Sequence, residues 1–579
     1  MKTENTKRRI ALLGGGPSSM FMYKRLIEQG SNDFEITIFE RKQQLGAGMP
    51  YSKEGANDEH ITNVSANEIP QIVTGIHEWI FTVPAQTLKR YNIIPERFNE
   101  YKVLPRLLFG NYLEDQFMLL QAKATDAGIM TSLHLGTKVT DINDKPLQNE
   151  IWVTLDDNRI EKFDQVIICT GHNWPKNHEG KVPGYYDSPY PPAKLNLKVN
   201  HLVAIKGSSL TAIDAIRTLA RFNGKFTHDS HGKLKYELTD DSSAFKMVMH
   251  SRSGLLPAVR FHLEDSHLSN NDLLTDDEIA IHRSQNNGFL SLDFVFEKDF
   301  KDMFRQKDPE FYDRIKNMTI ETFVAAMMDL RERLDPFQLL HAEYVEAEKS
   351  IRRHESVYWK EMLAVLSFAM NYPAKYLSAE DMLRLQKVLM PLISVVIAFA
   401  PQQSCIELLA LHNAGVLDMV PVGQDSDVIA EGKGGATYMF MDKDGNQQSV
   451  YYKTFVDCVG QPHLLYNDFP FKGLVESKTV SPAKLLFKDA DEGKKALQDG
   501  NNEVEKTNGK YYLKVSGITI NDNFQVIDQF GAYNPRIYIM AVPYIGGYNP
   551  DYSGLDFSEE ASGRIGESMF ESHRYFKEA

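Results

Sequence analysis

The sequence is poor in cysteine and lacks the cysteine patterns of redox and metal sites. Its three cysteines, Cys169, Cys405 and Cys458, lie far apart, and none belongs to a C-x-x-C pair. This spacing excludes a local redox dithiol and a disulfide framework, and it gives no zinc cluster. It is typical of a protein in a reducing cytoplasm. No metal site is predicted.

Long hydrophobic runs and an excess of positive charge are also absent. The longest apolar stretch, LMPLISVVIAFA at 389–400, contains a proline and is too short to span a bilayer, so it indicates buried core. The net charge of −14 argues against general nucleic-acid binding and against docking on anionic membranes. The first residues, MKTENTKRR, lack the apolar region of a secretion signal, so we expect a cytoplasmic protein.

What is present indicates an ordinary globular protein of some size. The chain has 579 residues, of which 25% are charged and 42% are hydrophobic. This length and composition predict two or three domains with ample core.

A glycine-rich turn lies close to the start of the chain. The segment RRIALLGGGPSSMFMYKRL, residues 8–26, has an apolar run, three glycines and then apolar residues at helical spacing. A strand, a glycine turn and a helix N-terminus direct backbone N–H groups at one point, which suits a pyrophosphate. The dinucleotide fingerprint G-x-G-x-x-G reads here Gly14-x-Gly16-x-x-Ser19, with a small serine in place of the third glycine.

The next segment strengthens this interpretation. A second β-rich run, FEITIFERK, ends in Glu40, about where the fingerprint places an acid for the ribose hydroxyls. Strand, turn, helix, strand and acid in this order predict a nucleotide site rather than a purely structural turn.

A second glycine turn follows in HLVAIKGSSLTAIDAIRTLA, residues 201–220. Gly207 ends a short strand, and the second and third fingerprint glycines are replaced by Ser209 and Ala212. The next strand, FKMVMHSRSGLLP, ends in Ser251 and Arg252.

The choice of nicotinamide cofactor depends on Arg252. We expect this arginine to stand where the first site has Glu40, to pair with a 2′-phosphate, and so to favour NADPH over NADH. The alternative is a solvated arginine at the end of a strand.

Three further segments have strand-then-turn patterns. FDQVIICTGHNWP places Thr170 and Gly171 after a buried strand, and TFVDCVGQPHLLY places Gly460 in the same way. Residues 535–569 contain a strand, a glycine-rich loop and a helix that carries Ser558 near its start. These patterns suggest two exits from nucleotide-domain sheets and a late return to the first sheet.

The order of these segments resembles two-dinucleotide-binding-domain flavoproteins. More narrowly, the chain is similar to bacterial FAD/NAD(P)-binding proteins related to flavin-dependent N-monooxygenases that act on amino acids. The resemblance covers roughly residues 8 to 260 and depends on these stretches: ALLGGGPSSM, IFERKQQLGAGMPYS, HITNVSANEIP, VLPRLLFGNYLEDQ, VIICTGHNWP, IKGSSLTAIDA and SRSGLLPAV.

The resemblance implies an α/β fold with two Rossmann-like dinucleotide-binding domains, the FAD domain being interrupted by an NAD(P)H domain, and a mainly helical insertion. We expect the FAD domain at 1–195 and 466–579, the NAD(P)H domain at 196–300 and 421–465, and the helical insertion at 301–420. The insertion is either a structural cap or a lid over the flavin.

The resemblance also implies the cofactor contacts. FAD would contact Gly14, Gly16, Pro17 and Ser18 at its pyrophosphate, Glu40 at the adenosine ribose, Val139 at adenine, and Arg41, Gly46, Gly48, Met49, Tyr51, Thr170, Gly171, Gly554 and Leu555 along its length. The NADPH phosphates would be cradled by Gly207, Ser208, Ser209, Leu210 and Thr211, with Arg252 on the 2′-phosphate.

Three polar residues are candidate catalytic groups near the flavin. Asn63 would lie on the isoalloxazine side, and Arg106 would reach the flavin or its phosphates, so both are also candidate cofactor contacts. His172 follows the turn after the third strand pattern. For Arg106 and His172 the alternative is a structural residue.

One departure from the family pattern concerns the C-terminal strand. Many flavoproteins of this architecture have Gly-Asp after it, whereas this chain has Val542-Pro543. A carboxylate that usually holds the ribityl or pyrophosphate group is therefore missing.

The resemblance implies an FAD-dependent, NADPH-using monooxygenase that hydroxylates a nitrogen or sulfur of a small amine or amino-acid-like substrate with molecular oxygen, through a peroxyflavin. An NAD(P)H-dependent flavin reductase or electron-transfer flavoprotein without oxygen insertion is the alternative. A flavin-binding regulatory protein without turnover is a third reading, and the two nucleotide turns favour the first two.

Overall fold

The computed structural model describes residues 7–171, 174, 176–263, 273–371, 373–460, 464–550 and 554–578, with side chains up to Phe570 in the last helix. His172, one of the candidate catalytic residues, lies outside the described residues.

The strands are labelled in chain order: β1 (Arg8–Leu13), β2 (Phe34–Glu40), β3 (Ile61–Ser65), β4 (Val103–Pro105), β5 (Met130–Leu135), β6 (Val139–Lys145), β7 (Glu150–Leu155), β8 (Ile160–Phe163), β9 (Gln165–Ile168), β10 (Tyr185–Tyr186), β11 (Leu202–Lys206), β12 (Gly224–His228), β13 (Leu234–Leu238), β14 (Lys246–Ser251), β15 (Leu417–Pro421), β16 (Asp427–Ala430), β17 (Ala436–Met441), β18 (Gln447–Tyr452), β19 (Thr454–Asp457), β20 (Pro482–Leu486), β21 (Val504–Thr507), β22 (Lys510–Ile518), β23 (Gln525–Ile527) and β24 (Tyr533–Ile539).

The α-helices are labelled in the same way: α1 (Pro17–Glu28), α2 (Ile76–Trp79), α3 (Ala85–Arg90), α4 (Arg106–Asp126), α5 (Leu210–Asn223), α6 (Asp276–Gln285), α7 (Leu292–Lys298), α8 (Phe304–Lys307), α9 (Pro309–Ile315), α10 (Ile320–Arg333), α11 (Pro336–Arg353), α12 (Tyr358–Ala369), α13 (Ala379–Arg384), α14 (Met390–Val396), α15 (Gln402–Asn413), α16 (Lys472–Glu476), α17 (Ala490–Gln498) and α18 (Leu555–Glu578).

The first large sheet joins the two ends of the chain. Its strand order is β23-β24-β9-β1-β2-β5, and β1 runs parallel to both β2 and β9. The late strand β24 pairs in parallel with β9, so the C-terminal segment completes a sheet that the N-terminal segment begins. Ile10–Leu13 in β1 are fully buried, as a strand covered on both faces requires.

The second large sheet is inserted between β9 and β24. Its order is β10-β19-β11-β14-β15, and every pair is parallel. Each sheet has a glycine turn and a helix after a central strand, β1 with α1 and β11 with α5. These two Rossmann-like units, together with the helices below, confirm the predicted fold class.

A helical segment from Asp276 to Asn413 packs against both units. Phe296, Phe323 and Leu363 belong to the apolar core that includes the first sheet, whereas Phe337 and Leu408 belong to the core of the second. The segment therefore bridges the two dinucleotide units. The boundaries of the FAD domain, the NAD(P)H domain and the helical insertion that the sequence analysis gives stay a prediction.

None of the described helices has both the length and the apolar character needed to cross a membrane. Within the same part of the chain, no group of three or more His, Cys, Asp or Glu side chains is placed to hold a metal ion.

Candidate dinucleotide and flavin site

The first glycine turn is built around Gly14. Its φ is +111°, and its N–H donates to the carbonyl of Phe39 at 2.8 Å. An ideal Cβ on Gly14 would lie 2.8 Å from the carbonyl oxygen of Cys169 at the end of β9. Both the dihedral angle and this close backbone approach require glycine here.

The helix after this turn begins without a side-chain cap. Gly16 occupies the N-cap position of α1 and Pro17 the first helical position, where its missing N–H costs nothing. A Cβ on Gly16 would lie 3.3 Å from the Cα of Gly48, whose own Cβ would lie 2.9 Å from Pro17 Cδ. The two loops therefore touch through glycines, and the uncapped amides of α1 remain available to an anion.

A cavity of about 310 Å³ begins at this turn. The N-terminal ends of α1 and α18 both contribute, and the hydroxyl oxygens of Ser18 and Ser558 lie 3.3 Å apart. Predicted residues on its wall are Gly14, Gly16, Pro17, Ser18, Glu40, Arg41, Gly48, Met49, Tyr51, Val139, Thr170, Gly171, Gly554 and Leu555.

Glu40 lies on the wall of this cavity with its carboxylate held in place. One oxygen accepts the N–H of Gly15 at 2.7 Å and the other accepts that of Lys42 at 2.9 Å. A carboxylate offers about four acceptor positions, so this one retains capacity for the two hydroxyls of a ribose.

Several lining residues were not predicted from the sequence, among them Phe471 and Tyr544. Phe471 precedes α16, and no local sequence motif marks it. Tyr544 follows Val542-Pro543, and both of these residues also line the cavity. Burial raises the pKa of both Tyr51 and Tyr544, so these phenols stay neutral.

These features fit FAD. Two helix N-termini and a glycine cradle suit a pyrophosphate, and a fixed carboxylate suits a ribose. The side chains of Met49, Phe471 and Pro543 suit the flat apolar faces of the cofactor.

The second glycine turn has the same backbone geometry as the first. Gly207 has a φ of +110° and donates its N–H to the carbonyl of His250 at 2.8 Å. A Cβ on Gly207 would lie 3.1 Å from the carbonyl oxygen of Cys458. The helix N-cap, Ser209, again makes no side-chain capping bond. Two separate stretches of sequence thus build one type of turn.

The strand registers show which residues correspond in the two sites, and they correct one expectation. Leu13 pairs with Phe39, and Lys206 pairs with His250, so Ser251 rather than Arg252 stands at the position of Glu40. The expected match of Arg252 with Glu40 was wrong by one residue, because it rested on strand ends rather than on pairing.

The second site therefore has a serine at the acidic position and an arginine immediately after it. Arg252 is exposed, and in the described part of the chain its guanidinium makes no hydrogen bond or ion pair. The hydroxyl of Ser208 donates to the carbonyl of Leu255 at 2.7 Å and lies 3.1 Å from the Ser251 hydroxyl. Leu210 and Thr211, both half-buried, form the first turn of α5.

Arg106 does not lie on the wall of the cavity. Its guanidinium donates to the carboxylate of Asp214 at 2.6 Å and to the carbonyl of Ile61 at 3.0 Å. The structure thus holds this arginine in an ion pair with Asp214 of α5, and its predicted contact with the flavin stays a prediction.

Asn63 and Gly46 are also away from the cavity wall. The Asn63 side chain is exposed and its carbonyl accepts a hydrogen bond from Arg260. Gly46 donates its N–H to Gly15 at 2.7 Å, and a Cβ there would lie 2.4 Å from the carbonyl of Leu113. Gly46 thus packs against the first glycine turn and not against the cavity.

The cysteines offer no redox chemistry. Cys169, Cys405 and Cys458 are all free and buried, and burial raises the pKa of each thiol. Because the thiolate is the reactive form, these groups are inert at neutral pH.

Comparison with known proteins finds relatives along most of the chain. Protein YdhS of Escherichia coli (strain K12) is 28% identical over 479 residues, which cover 81% of this chain and 86% of that protein. The thiol-specific monooxygenase of Saccharomyces cerevisiae is 28% identical over 172 residues, 29% of this chain and 35% of that protein. Among solved structures, the ornithine N-hydroxylase of Kutzneria sp. 744 covers 98% of this chain and 100% of its own, with 12% identity and a TM-score of 0.45.

Two family models match parts of the chain. Residues 275–397 match the YdhS-like middle domain, which falls within the helical segment, and residues 11–173 match the FAD-NAD(P)-binding family. The second match contains the first glycine turn and Glu40. The predicted resemblance is confirmed: residues 11–173 are similar to the FAD-NAD(P)-binding family, and residues 275–397 are similar to the YdhS-like middle domain.

Proposed function

We propose that the protein is an FAD-dependent oxidoreductase that takes its electrons from NADPH. The observation that carries the proposal is the repeated turn: Gly14 and Gly207 have nearly the same φ and the same close approach to a neighbouring strand. One chain thus offers two dinucleotide cradles, and the first adjoins a cavity lined mainly by apolar side chains. When bound there, FAD would accept a hydride from the nicotinamide and pass electrons on.

The residues at the two strand ends would assign the two cofactors. Glu40 would bind the ribose hydroxyls of FAD. At the second site Ser251 places no negative charge that would repel a 2′-phosphate, and the exposed guanidinium of Arg252 would bind that phosphate.

For the reaction itself we propose oxygen insertion at a nitrogen or sulfur of a small amine or amino-acid-like substrate. The likeness of 172 residues to a thiol-specific monooxygenase supports this choice. The buried, unreactive cysteines remove the dithiol route by which a flavin reductase acts on disulfides. Reduction of a quinone or a protein acceptor without oxygen insertion is the second candidate, since neither requires a thiol.

The helical segment would act as a brace rather than as a lid. Its side chains lie in the cores of both dinucleotide units, and moving it would open both cores. A brace keeps the cofactor site dry without opening and closing.

The proposal is tested with the purified protein in air. NADPH oxidation is measured together with hydrogen peroxide while small amines, amino acids and thiols are supplied in turn. We expect one substrate class to yield a hydroxylated or S-oxygenated product and to lower the peroxide yield. If all electrons appear as peroxide whichever substrate is supplied, the oxygen-insertion proposal is wrong and the reductase candidate replaces it.

A further inference from the structure

A buried ion pair joins the two dinucleotide units. Arg106, at the start of α4, donates to Asp214 at 2.6 Å, and their side chains are only 14% and 6% exposed. Asp214 begins the second turn of α5, the helix whose N-terminus forms the second glycine turn. The ion pair thus connects the proposed nicotinamide cradle directly to the first unit.

Further polar contacts surround Asp214. The Tyr190 hydroxyl donates to the same carboxylate oxygen at 2.9 Å. Burial alone would raise the pKa of Asp214, but the Arg106 guanidinium and the Tyr190 hydroxyl hold it below its ordinary value. Asp214 therefore stays ionised and paired at neutral pH.

His60 adds an uncharged contact at the same boundary. Its Nδ1 accepts the N–H of Asn57 at 3.1 Å, so its Nε2 is the donor and lies 3.1 Å from the Thr218 hydroxyl on α5. Burial lowers the pKa of His60, which keeps the ring neutral. The Thr218 hydroxyl in turn donates to Glu59 at 2.6 Å.

A second buried ion pair crosses the same boundary with the charges reversed. Arg260 belongs to the segment packed in the second core, and it pairs with Glu68 of the first unit, with side chains 5% and 7% exposed. Arg260 also donates to the hydroxyl of Ser65 at 2.7 Å, and its own carbonyl accepts from Gln402 of α15 at 2.7 Å. The brace is thereby tied to the same pair.

We propose that these two ion pairs hold the second dinucleotide unit at one fixed angle to the first, so that hydride transfer needs no rotation of the units. Rotation would strand buried charges without partners, which is strongly unfavourable. Arg106 is then a positioning residue that acts through Asp214 and α5. The fixed angle does not depend on the proposed function, whereas the consequence for hydride transfer rests on it.

The angle is tested by a distance measurement that needs no activity. The three native cysteines are buried, so spin labels can be directed to Leu147→Cys in the first unit, where Leu147 is 96% exposed, and to Lys225→Cys in the second, where the lysine side chain is 69% exposed. We expect one narrow distance distribution that is unchanged by NADP⁺. Two distances, or a shift caused by NADP⁺, would overturn the proposal.

Variants separate positioning from general stability. Arg106→Ala is expected to broaden the distance distribution. Arg106→Lys keeps the positive charge and should give a distribution nearly as narrow as that of the parent. The matched control is Arg536→Ala, because Arg536 and Asp144 form a pair 16% and 8% exposed that lies wholly within the first unit. If Arg536→Ala broadens the distances as much as Arg106→Ala, or if Arg106→Ala leaves them narrow, the proposal is refuted.

The consequence for hydride transfer is measured by anaerobic stopped flow at saturating NADPH. We expect Arg106→Ala to slow flavin reduction at least tenfold with its FAD content retained, and Arg536→Ala to leave the rate within twofold of the parent. An unchanged rate in Arg106→Ala overturns the positioning role. A parent protein that holds FAD but is not reduced by NADPH overturns the proposed function instead, and the distance result still decides the fixed angle.

Discussion

The two glycine turns allow a reciprocal test of the assignment of cofactors. Replacing Gly14 by alanine puts a Cβ 2.8 Å from the carbonyl oxygen of Cys169, at a φ of +111°. A non-glycine residue in a sparsely populated backbone region costs about 1–3 kcal/mol. Forcing an extra carbon into a packed site costs about 1–3 kcal/mol more.

The total of about 2–6 kcal/mol is divided between folding and binding. If the turn of the free protein relaxes away from the clash, FAD binding must restore it and the affinity for FAD falls. If the turn cannot relax, the melting temperature falls instead. At roughly 1.4 kcal/mol per tenfold change, the lower limit of about 2 kcal/mol corresponds to about a 30-fold weaker affinity for FAD when all of it falls on binding.

The assay measures FAD content, FAD affinity and melting temperature for three alanine variants. Gly14→Ala should lose FAD, whereas Gly207→Ala should keep FAD and bind NADPH more weakly, because its Cβ would lie 3.1 Å from the Cys458 carbonyl. Gly30→Ala is the control, since Gly30 has a φ of +67° but nothing within 4 Å of its Cβ. Gly30→Ala should therefore lose some stability and keep both cofactors. Equal loss of FAD in Gly14→Ala and Gly207→Ala would refute the assignment of one cofactor to each turn.

Three further predictions follow from individual side chains. Arg252→Ala should raise the KM for NADPH about tenfold to a hundredfold, because a charge-assisted bond contributes about 1.5–3 kcal/mol. The KM for NADH should stay nearly unchanged. An equal rise in the KM for both nucleotides would show that Arg252 has a structural role. Burial raises the pKa of Asp299 to about 7, because the folded protein disfavours the charged carboxylate. The free energy of unfolding therefore falls as the pH rises from about 4 through 7. Asp299→Asn, which can still accept the N–H of Leu274, should be more stable than the parent by up to about 4 kcal/mol at pH 8 and by little at pH 4, as measured by urea unfolding. Burial lowers the pKa of His250 to about 4, so the parent should lose about 3 kcal/mol more than His250→Phe between pH 7 and pH 4; parallel curves for the two proteins contradict this.

The parts of the fold and site that could be predicted from the sequence are those encoded locally. Gly14, Gly16 and Glu40 lie within one strand–turn–helix–strand unit, so spacing alone indicated their roles. The second turn was recognised around Gly207 for the same reason, although two of its fingerprint glycines are replaced.

The parts that depend on distant partners could not be predicted. Arg106 pairs with Asp214, which lies 108 residues further along the chain, and nothing near either residue signals the other. The position of Arg252 relative to Glu40 depends on strand register, which is set by pairing and not by where an apolar run ends.

Helical periodicity had a similar limit in the inserted segment. It indicates that a helix has an apolar face, but not what that face packs against. Phe323 and Phe337 lie in the same run of helices, yet one joins the first core and the other joins the second. The choice between cap and lid therefore could not be made from the sequence.

The central claim is that FAD bound beside Gly14 is reduced by NADPH bound beside Gly207. It is tested most directly by mixing the purified, FAD-loaded protein with NADPH under anaerobic conditions and following the flavin absorbance. The account predicts complete loss of the oxidised-flavin absorbance, faster with NADPH than with NADH. Flavin that stays oxidised with both nucleotides, although dithionite reduces it, would contradict the account.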